Sequence, residues 1–473
     1  MPTILGGGLS GLSAGYYLLR KGIPGSQIKL FEASSRLGGW IKSTRNREHG
    51  IIFESGPRTI RPIGVNGRNT LALLEDLQLE KQIVPILKTS AAAQRRLIYV
   101  NNQLHVLPSN LKGLFRKQTP FSRPLISALL HDISTGKSRE SLPDESIYNF
   151  AKRRFGQEIA DYAISPMICG ICAGNAKEIS VKFLMKDLFA KEQKHGGVVK
   201  GLLASTFAQG AKKAPEAPSE LANRAKAEKW SIYSLQGGLE TLPRALESHL
   251  QAENVLTRTN KNCFGITFRP NGAELTFREG VEEADSVISA LPSYKLAELV
   301  RNQHPELSEM LSGIPYVDVG VVNVHYSSGN VLKEQGFGFL AAPAEKIPIL
   351  GVIFDSCCFD LGSNTVLTVM MGGAWFREYF GATPTEADLL ATAQKYLEKI
   401  LKIDQKPTST KVNILKKCIP QYIVGHHDRV EAIQKYLVNQ KLPLHLCGAA
   451  YDGVGINDVI LSAKTAVEAY KVS

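Results

Sequence analysis

The sequence contains no run of about 18 uncharged apolar residues, which is the length that a membrane-spanning helix requires. This absence excludes a spanning helix. The chain enters its first apolar strand at once, so we expect neither a secretion signal nor a cleaved transit peptide, and any targeting information should be internal. No nucleic-acid-binding motif occurs, so nucleic acid is not expected as a partner.

Cysteine is scarce, with seven residues in a chain of 473. An odd and modest number argues against a disulfide scaffold and favours a reducing compartment. Cys169 and Cys172 form a C-x-x-C pair, which could be redox active or half of a zinc site. No second pair stands at zinc spacing and no thioredoxin-like pattern surrounds it, so we expect buried thiols there and predict no metal site.

Acidic residues are too few to balance the basic ones, and the net charge is +12. Residues 91–230 hold 22 lysines and arginines against 12 acidic residues, so most of the excess lies in the middle third of the chain. Such a segment could face an anionic membrane, anionic substrates or nucleic acid. A membrane surface is the leading interpretation, and an ordinary solvated basic face is the alternative.

A glycine-rich turn opens the chain. An apolar strand from Thr3 leads into Gly6, Gly8 and Gly11 at the G-x-G-x-x-G spacing, and a helix with an apolar face follows. Missing side chains permit a tight turn there and let backbone N–H groups and the helix N-terminus approach a diphosphate. The turn therefore predicts a dinucleotide site, which includes Gly7, Leu9 and Ser10.

A second strand, residues 28–32, ends in Glu32, 21 positions after Gly11. A carboxylate at this point can accept hydrogen bonds from both ribose hydroxyls of an adenine dinucleotide. Arg36, Gly38 and Gly39 follow, and Trp40 comes next. This run resembles the second half of the fingerprint of the flavin-dependent oxidase and desaturase superfamily, in which the arginine neutralises diphosphate charge. FAD is therefore favoured over NAD.

The middle of the chain, residues 92–210, reads as short helices broken by prolines. Residues 97–100 and 104–107 predict a hairpin at the entrance to this region, with Arg95 and Arg96 immediately before it. One of these arginines could face a substrate carboxylate. Later apolar stretches with scattered lysines suit helices that lie in a membrane interface, and packing within the domain explains the same pattern equally well.

Strands dominate from residue 317 to residue 371, and a helix follows at residues 385–401. A mixed sheet with aliphatic and aromatic faces suits a flat, apolar ligand. Four candidate residues for that surface, each of which could equally be simple core, are Phe337, Leu340, Ile353 and Met370.

The carboxyl end carries a further glycine-rich loop between a strand and a helix. Its candidate cofactor residues are Ala449, Val454, Gly455 and Ile456. A loop that enters a helix N-terminus presents N–H donors and a positive dipole, which would stabilise negative charge on a reduced flavin. The loop at Gly56, Pro57, Arg58 and Thr59 is expected beside the same ring, and its arginine could instead form a surface ion pair.

Taken together, these motifs resemble the oxygen-dependent, FAD-containing protoporphyrinogen IX oxidases. The residues that carry the resemblance are 5–12, 32–40, 53–62, 418–422 and 447–457. It implies an α/β fold with a discontinuous Rossmann-like FAD-binding domain, a mixed-sheet substrate domain and an α-helical membrane-binding domain. The expected boundaries are residues 1–91, 221–300 and 416–473 for the FAD-binding segments, 92–210 for the helical domain and 301–415 for the substrate domain.

The resemblance also implies an enzyme that oxidises protoporphyrinogen IX to protoporphyrin IX with O2 and releases hydrogen peroxide. It implies a homodimer bound peripherally to the inner mitochondrial membrane, on the intermembrane-space side. Arg96 would hold a propionate, Arg58 would lie near the flavin, and Cys263 would lie where a strand backbone meets the adenine. Alternatives are another FAD-dependent amine oxidase or polyene desaturase, or a catalytically silent FAD-fold protein at a membrane.

Overall fold

In a computed structural model, the strand Pro2–Leu5 lies at the centre of a five-stranded parallel sheet. All four of its residues are buried, as are those of the neighbouring strand Ser286–Ser289. Parallel strands of this kind are apolar throughout because helices cover both faces of the sheet. The strands follow the order Leu444–Leu446, Ser286–Ser289, Pro2–Leu5, Lys29–Phe31 and Leu256–Arg258.

The structure describes residues 1–108, 111–136, 143–208, 219–328 and 331–470. The chain divides into two units. Unit 1 comprises Met1–Leu87, Ala217–Pro315 and Asp428–Ser473, and unit 2 comprises Lys88–Glu216 and Tyr316–His427. Residues 211–220 are polar and contain two prolines, which predicts a loop that links two regions, and most of this stretch lies outside the described residues.

Unit 1 surrounds its parallel sheet with helices and small antiparallel sheets. Its helices are Leu9–Arg20, Gly64–Asp76, Glu220–Ala227, Thr241–Ala252, Ser293–Val300, Pro305–Ser312 and Ile456–Ala469. Its antiparallel pairings are Ser43–Asn46 with Ile51–Glu54, Ile83–Leu87 with Trp230–Leu235, and the three strands Cys263–Arg269, Gly272–Phe277 and Gly280–Ala284. The chain re-enters this unit within the helix His426–Asn439.

The sequence predicts an amphipathic helix from Arg68 to Leu79 with Leu71, Leu74 and Leu77 inward, and this helix forms earlier, as Gly64–Asp76. Its apolar stripe is as predicted, because Leu71 and Leu74 are fully buried. The helix ends sooner because Gln78 adopts a positive φ of 56°, a left-handed conformation that stops the helical hydrogen-bond ladder. The boundary was wrong and the buried face was right.

Unit 2 is built on a seven-stranded mixed sheet. The strand order is Ser409–Pro420, Tyr316–Tyr326, Thr365–Gly373, Ile349–Phe354, Gly338–Ala341, Leu97–Val100 and Gln103–Val106. Within this sheet, the pairing of Gly338–Ala341 with Leu97–Val100 is parallel, and the other pairings of its described strands are antiparallel. The helix Glu386–Leu401 covers one face through Leu389, Ala393 and Leu397, and Thr385 caps its N-terminus with a capping box.

The predicted hairpin is present directly before the helices of this unit, and it also joins the mixed sheet as its edge. The reason is burial, because all four residues of Leu97–Val100 are buried and need cover on both faces. The helices that follow are Leu111–Leu114, Ile126–Thr135, Ile147–Phe155, Gln157–Ile159, Ser165–Cys172, Val181–Leu184, Lys186–His195 and Val198–Ala208, with a π-helical turn at Ala160–Ile164. Within the described residues, no helix is both long and apolar enough to cross a membrane.

Candidate functional site

The opening turn of unit 1 requires glycine for steric reasons. A Cβ on Gly11 would overlap the carbonyl oxygen of Gly6, and a Cβ on Gly7 would overlap the side chain of Leu37. The helix Leu9–Arg20 begins at Gly8 with no side-chain cap and no acidic residue in its first turn. Its N–H groups and positive dipole end are therefore available to an anion.

The second glycine turn lies directly beside the first. The N–H of Gly38 donates to the carbonyl oxygen of Gly7 at 2.8 Å, and Gly8 and Gly38 form a parallel bridge. A Cβ on Gly39 would come within 3.1 Å of the Cα of Gly8. We call these two adjoining turns the glycine cradle. Because the facing residues lack side chains, a diphosphate can approach the backbone closely, and the residues present fit a dinucleotide.

Glu32 is fixed at the edge of the glycine cradle. Its Oε2 accepts the N–H of Gly7 at 2.7 Å, and its Oε1 accepts the N–H of Ser34 at 2.8 Å. A carboxylate has about four lone-pair sites, so both oxygens can still accept ribose hydroxyls. This geometry suits the predicted ribose contact.

Arg36 binds its own loop. Its guanidinium donates to the carbonyl oxygens of Leu37 at 2.9 Å and Ile41 at 3.2 Å, and also to that of Gly39. These bonds hold the second glycine turn in shape. The charge of Arg36 therefore lies beside the cradle, and its action on a diphosphate stays a prediction.

The carboxyl-terminal segment reaches the same region of unit 1. The N–H of Cys447 donates to Ser289 at 3.0 Å, and a Cβ on Gly448 would lie 3.1 Å from the Oγ of Ser10. Gly448, which the sequence argument did not single out, therefore approaches the opening helix closely. Its position directly before Ala449 was the signal that the sequence offered. Its φ of +112° explains why a glycine stands there.

The helix Ile456–Ala469 is tied at its start to the segment that follows Arg58 and Thr59. Asn457 donates through Nδ2 to the carbonyl oxygen of Arg61 at 2.9 Å, and Asn66 donates to Oδ1 of Asp458 at 2.7 Å. The predicted residues Val454, Gly455 and Ile456 thus stand near the Gly56–Thr59 loop. Arg58 itself is buried, with 5% exposure.

The middle segment joins through the residues before Cys263. The N–H of Lys261 donates to the carbonyl oxygen of Glu32 at 2.8 Å, and the N–H of Asn260 donates to Ser34 at 2.8 Å. Cys263 is half-buried at the start of its strand, and burial raises the pKa of its thiol to about 11. Beginning, middle and end of the chain therefore meet around one cradle.

Sequence reasoning missed a polar cluster that supports this region. Glu54 is buried, and its carboxylate accepts the N–H of Leu239 and the hydroxyl of Ser43, both at 2.8 Å. Glu240 accepts the N–H of Ser43 at 2.8 Å. A Cβ on Gly238, at a φ of +92°, would overlap Ser43. The cluster fixes the strand that leads into the Gly56–Thr59 loop, and the paired glycines were the available signal.

In unit 2 the strand register brings three of the four predicted ligand-surface residues together. Leu340 pairs with Gly351, which pairs with Met370, and Ile353 lies two residues beyond Gly351. Paired residues share a face, and alternate residues along a strand share it too. We call this face, opposite the one that packs on the helix Glu386–Leu401, the ligand face. Phe337 precedes its strand, so the register does not carry it there.

Arg96 stands at the edge of the ligand face. Its carbonyl oxygen accepts the N–H of Leu107 at 2.8 Å, so the hairpin ladder extends to it, and Ile98 two residues on pairs with Leu340. Arg95, the other candidate, forms an ion pair with Glu334 at 3.7 Å. The alternation of the strand therefore favours Arg96 as the arginine on the ligand face.

The C-x-x-C pair does not offer reactive thiols. Cys169 and Cys172 are both buried, and burial raises the pKa of each thiol to about 12. The thiolate is the reactive form and the metal ligand, so these side chains are inert at neutral pH. The predicted buried thiols are confirmed.

A glycine cradle with a carboxylate at its edge, on a parallel sheet that the carboxyl-terminal loop completes, defines the class of dinucleotide-binding proteins, which includes the FAD-dependent oxidoreductases. Residues 9–469 match the model of the flavin containing amine oxidoreductases, and the chain belongs to this family. Membership confirms the predicted α/β fold, with its parallel and mixed sheets, and the flavin cofactor, FAD.

Among its relatives, the chain is 40% identical over 471 residues to the protoporphyrinogen oxidase of Bos taurus, with 98% of this chain and 97% of that protein covered. It is 27% identical over 495 residues to the coproporphyrinogen III oxidase of Bacillus subtilis (strain 168), with 98% and 96% covered. A crystal structure from Exiguobacterium sp. 255-15, provisionally assigned as a protoporphyrinogen oxidase, superposes with a TM-score of 0.78 at 25% identity and covers 99% and 97%. These similarities confirm the predicted resemblance.

Proposed function

We propose that this chain oxidises protoporphyrinogen IX to protoporphyrin IX, with FAD as the immediate acceptor and O2 as the final oxidant, and releases hydrogen peroxide. The observation that carries the proposal is the 40% identity with the bovine protoporphyrinogen oxidase over 98% of this chain. A similarity of that length extends over both units of the chain.

Each part of the chain has a limited task in this reaction. FAD supplies the hydride acceptor when it is bound, so the protein has to hold and orient the two reactants. The glycine cradle would hold the diphosphate, Glu32 the ribose, and Cys263 the adenine. Arg58 would stabilise negative charge on the ring, together with the helix N-terminus at Ile456.

The ligand face would bind the macrocycle through apolar contact. Leu340, Ile353 and Met370 present aliphatic and thioether groups suited to a flat ring, and Phe337 is proposed to add an aromatic contact. Arg96 would hold a propionate, because a planar guanidinium pairs with a carboxylate through two parallel hydrogen bonds. Protein side chains thereby fix the pose while the cofactor performs the chemistry.

The experiment that tests this proposal is anaerobic mixing of the flavin-loaded protein with protoporphyrinogen IX, followed by air. We expect the oxidised flavin absorbance to bleach without oxygen. On aeration it should return, with protoporphyrin fluorescence and hydrogen peroxide. A yellow protein that protoporphyrinogen does not bleach would contradict the proposal and support a catalytically silent FAD-fold protein. Bleaching by amines or polyenes alone would also contradict it and would support an amine oxidase or a desaturase.

Coproporphyrinogen III is the second candidate substrate, which the similarity to the Bacillus subtilis oxidase favours. It carries more carboxylates than protoporphyrinogen IX, so it places a larger demand on cationic side chains. Comparing kcat/KM for the two porphyrinogens decides between them, because discrimination between substrates is the ratio of these values. We expect protoporphyrinogen IX to have the higher value.

Replacing Arg96 with alanine should raise the KM for protoporphyrinogen IX about tenfold and leave kcat within about twofold. A charge-assisted hydrogen bond contributes about 1.5–3 kcal/mol, and a propionate far from the reacting carbon is held equally in the ground and transition states. Steady-state kinetics measure both constants. Arg95→Ala is the matched control and should leave KM unchanged, and a collapse of kcat at constant KM would contradict the role of Arg96.

We further propose the domain roles that the resemblance implies. Residues 1–91, 221–300 and 416–473 bind FAD, residues 301–415 bind the substrate, and residues 92–210 contact the membrane. The same resemblance supports a homodimer at the inner mitochondrial membrane, on the intermembrane-space side. Sedimentation of the purified protein tests the dimer, and fractionation of mitochondria tests the location.

Peripheral membrane contact is supported by four exposed apolar side chains on two helices that pack against each other, Ile126–Thr135 and Val198–Ala208. Leu130 is 58% exposed and Leu203 is 54% exposed, and Ile133 and Leu202 accompany them. Large exposed apolar groups of this kind mark interaction surfaces. The excess of basic residues in this part of the chain supports an anionic membrane surface as the partner.

A Leu130→Ser, Leu203→Ser double variant should therefore bind anionic vesicles at least tenfold more weakly. Burying one leucine side chain contributes about 1.5–3 kcal/mol, so losing two exceeds that factor. Co-sedimentation with phosphatidylserine–phosphatidylcholine vesicles measures the binding. Val438→Ser, at another exposed apolar residue with 74% exposure, is the control, and equal loss in both variants would contradict the patch.

A further inference from the structure

One glycine of unit 2 stands at a position where helix stability favours a side chain. Gly170 lies inside the helix Ser165–Cys172 and is exposed, so neither a turn nor tight burial demands glycine there. Glycine in a helix interior is less stable than alanine because it has more backbone freedom to lose. Its presence needs another physical reason.

That reason is Leu340 on the ligand face. A Cβ on Gly170 would lie 2.9 Å from Cδ2 of Leu340 and 3.2 Å from its Cδ1. Both distances are below ordinary van der Waals contact. The atoms in the way are the two terminal methyl groups of one flexible side chain. Filling position 170 would therefore displace Leu340 and leave the backbone in place.

Leu340 has a second glycine against it. A Cβ on Gly351 would lie 3.0 Å from the same Cδ2, but also 2.7 Å from the carbonyl oxygen of Phe339. Unlike Gly170, Gly351 faces backbone that cannot move aside without breaking the sheet. The side chain of Leu340 thus lies between Gly170 and Gly351. Of these two glycines, only Gly170 can be replaced by alanine without damage to the fold.

We propose that Gly170 is a specificity-determining residue that sets the position of Leu340 and hence the room on the ligand face. The inference rests on the proposed function, because it takes the ligand face to bind a tetrapyrrole. With position 170 filled, the Leu340 methyl groups cannot retreat toward Gly351 and must move onto the face that the macrocycle uses. Coproporphyrin III carries propionates at the two positions where protoporphyrin IX carries shorter vinyl groups. Its affinity therefore falls by more than that of protoporphyrin IX.

The test is a double-mutant cycle on the flavin-loaded protein with variants Gly170→Ala, Leu340→Ala and both together. Tryptophan fluorescence quenching measures the Kd of protoporphyrin IX and coproporphyrin III, and steady-state kinetics give KM and kcat for protoporphyrinogen IX. We expect Gly170→Ala to raise the Kd of protoporphyrin IX about fivefold and that of coproporphyrin III about 20-fold, since overpacking a close-packed site weakens binding by roughly 5–150-fold. KM should rise with little change in kcat.

In the Leu340→Ala background, Gly170→Ala should change either Kd by less than about twofold, because the methyl groups that it displaces are gone. Ile171→Ala, on the same helix with 43% exposure, is the control and should leave both values unchanged. The melting temperature of Gly170→Ala should equal or exceed that of the wild type.

Equal effects of Gly170→Ala with and without Leu340, or a lowered melting temperature, would overturn this inference alone. A wild-type protein that binds neither porphyrin and is not bleached by protoporphyrinogen would overturn the proposed function, and this inference with it.

Discussion

Replacing Gly8 with alanine should lower the affinity for FAD by about 10- to 100-fold and leave the apoprotein as stable as the wild type. Gly8 has a φ of −70°, which any residue adopts, and a Cβ there would find its nearest protein atom, the Cα of Gly39, at 3.8 Å. The added methyl group therefore projects into the glycine cradle, where overpacking costs about 1–3 kcal/mol. Flavin fluorescence quenching on titration of apoprotein measures the affinity.

Two further glycines supply the controls. Gly11→Ala should lower the melting temperature of the apoprotein itself, because its Cβ would overlap the carbonyl oxygen of Gly6. Gly22→Ala meets no atom within 4 Å but takes a φ of +89°, so it should lose about 1 kcal/mol of stability and keep its FAD affinity. Unchanged FAD affinity in Gly8→Ala would contradict the assignment of the cradle to the diphosphate.

Local spacing explains why much of the cradle could be predicted. The glycines of the first turn and Glu32 belong to one strand–turn–helix–strand unit, in which sequence separation fixes spatial separation. The cluster around Glu54 could not be predicted in the same way, because Leu239 and Glu54 are 185 residues apart. Only their hydrogen-bonded contact identifies them, and no periodicity of the sequence reports such a pairing.

For the ligand face too, the sequence predicted the individual strands but not the pairing between them. Strand-like apolar runs predicted the strands that carry Ile353 and Met370, but the face that these residues share depends on strand register, which sequence alone does not specify. The structure gives this register, in which Leu340 pairs with Gly351 and Gly351 pairs with Met370. The hairpin that begins with Leu97–Val100 was predicted from two apolar runs separated by a two-asparagine turn, while the strand that pairs with it in parallel, Gly338–Ala341, lies more than 200 residues later.

The basic excess of the middle region was interpreted as a basic surface, yet one of its basic residues is in the core. Arg154 is fully buried. It continues the buried stripe of its helix, formed by Ile147, Phe150 and Ala151, at the spacing i, i+3, i+4, i+7. That periodicity was present in the sequence and could have indicated a buried arginine, which then requires buried acidic partners.

Replacing Arg154 with methionine should lower the free energy of unfolding by about 3–5 kcal/mol. Arg154 donates to Glu192, which is 1% exposed, and lies 3.7 Å from Asp132, which is fully buried. It also donates to the carbonyl oxygen of Gly136 at 2.7 Å, at the end of the helix Ile126–Thr135. The variant leaves buried carboxylates with fewer partners and an uncapped helix end. Urea unfolding of the apoprotein measures the loss.

Arg269→Met is the matched control, because Arg269 pairs with Glu274 at 3.0 Å on the surface and should contribute less than about 1 kcal/mol. Burial raises the pKa of Glu192, but hydrogen bonds from Arg153 and Arg154 lower it by more, so this pKa lies below its usual value. A lowered folded-state pKa gives stability that is present above the unfolded-state pKa of about 4.3 and is lost as the pH falls through the folded-state value. On acidification, Arg154→Met should therefore lose stability less steeply than the wild type. At neutral pH, equal losses of stability in the Arg154 and Arg269 variants would show that the buried network does not stabilise the helices.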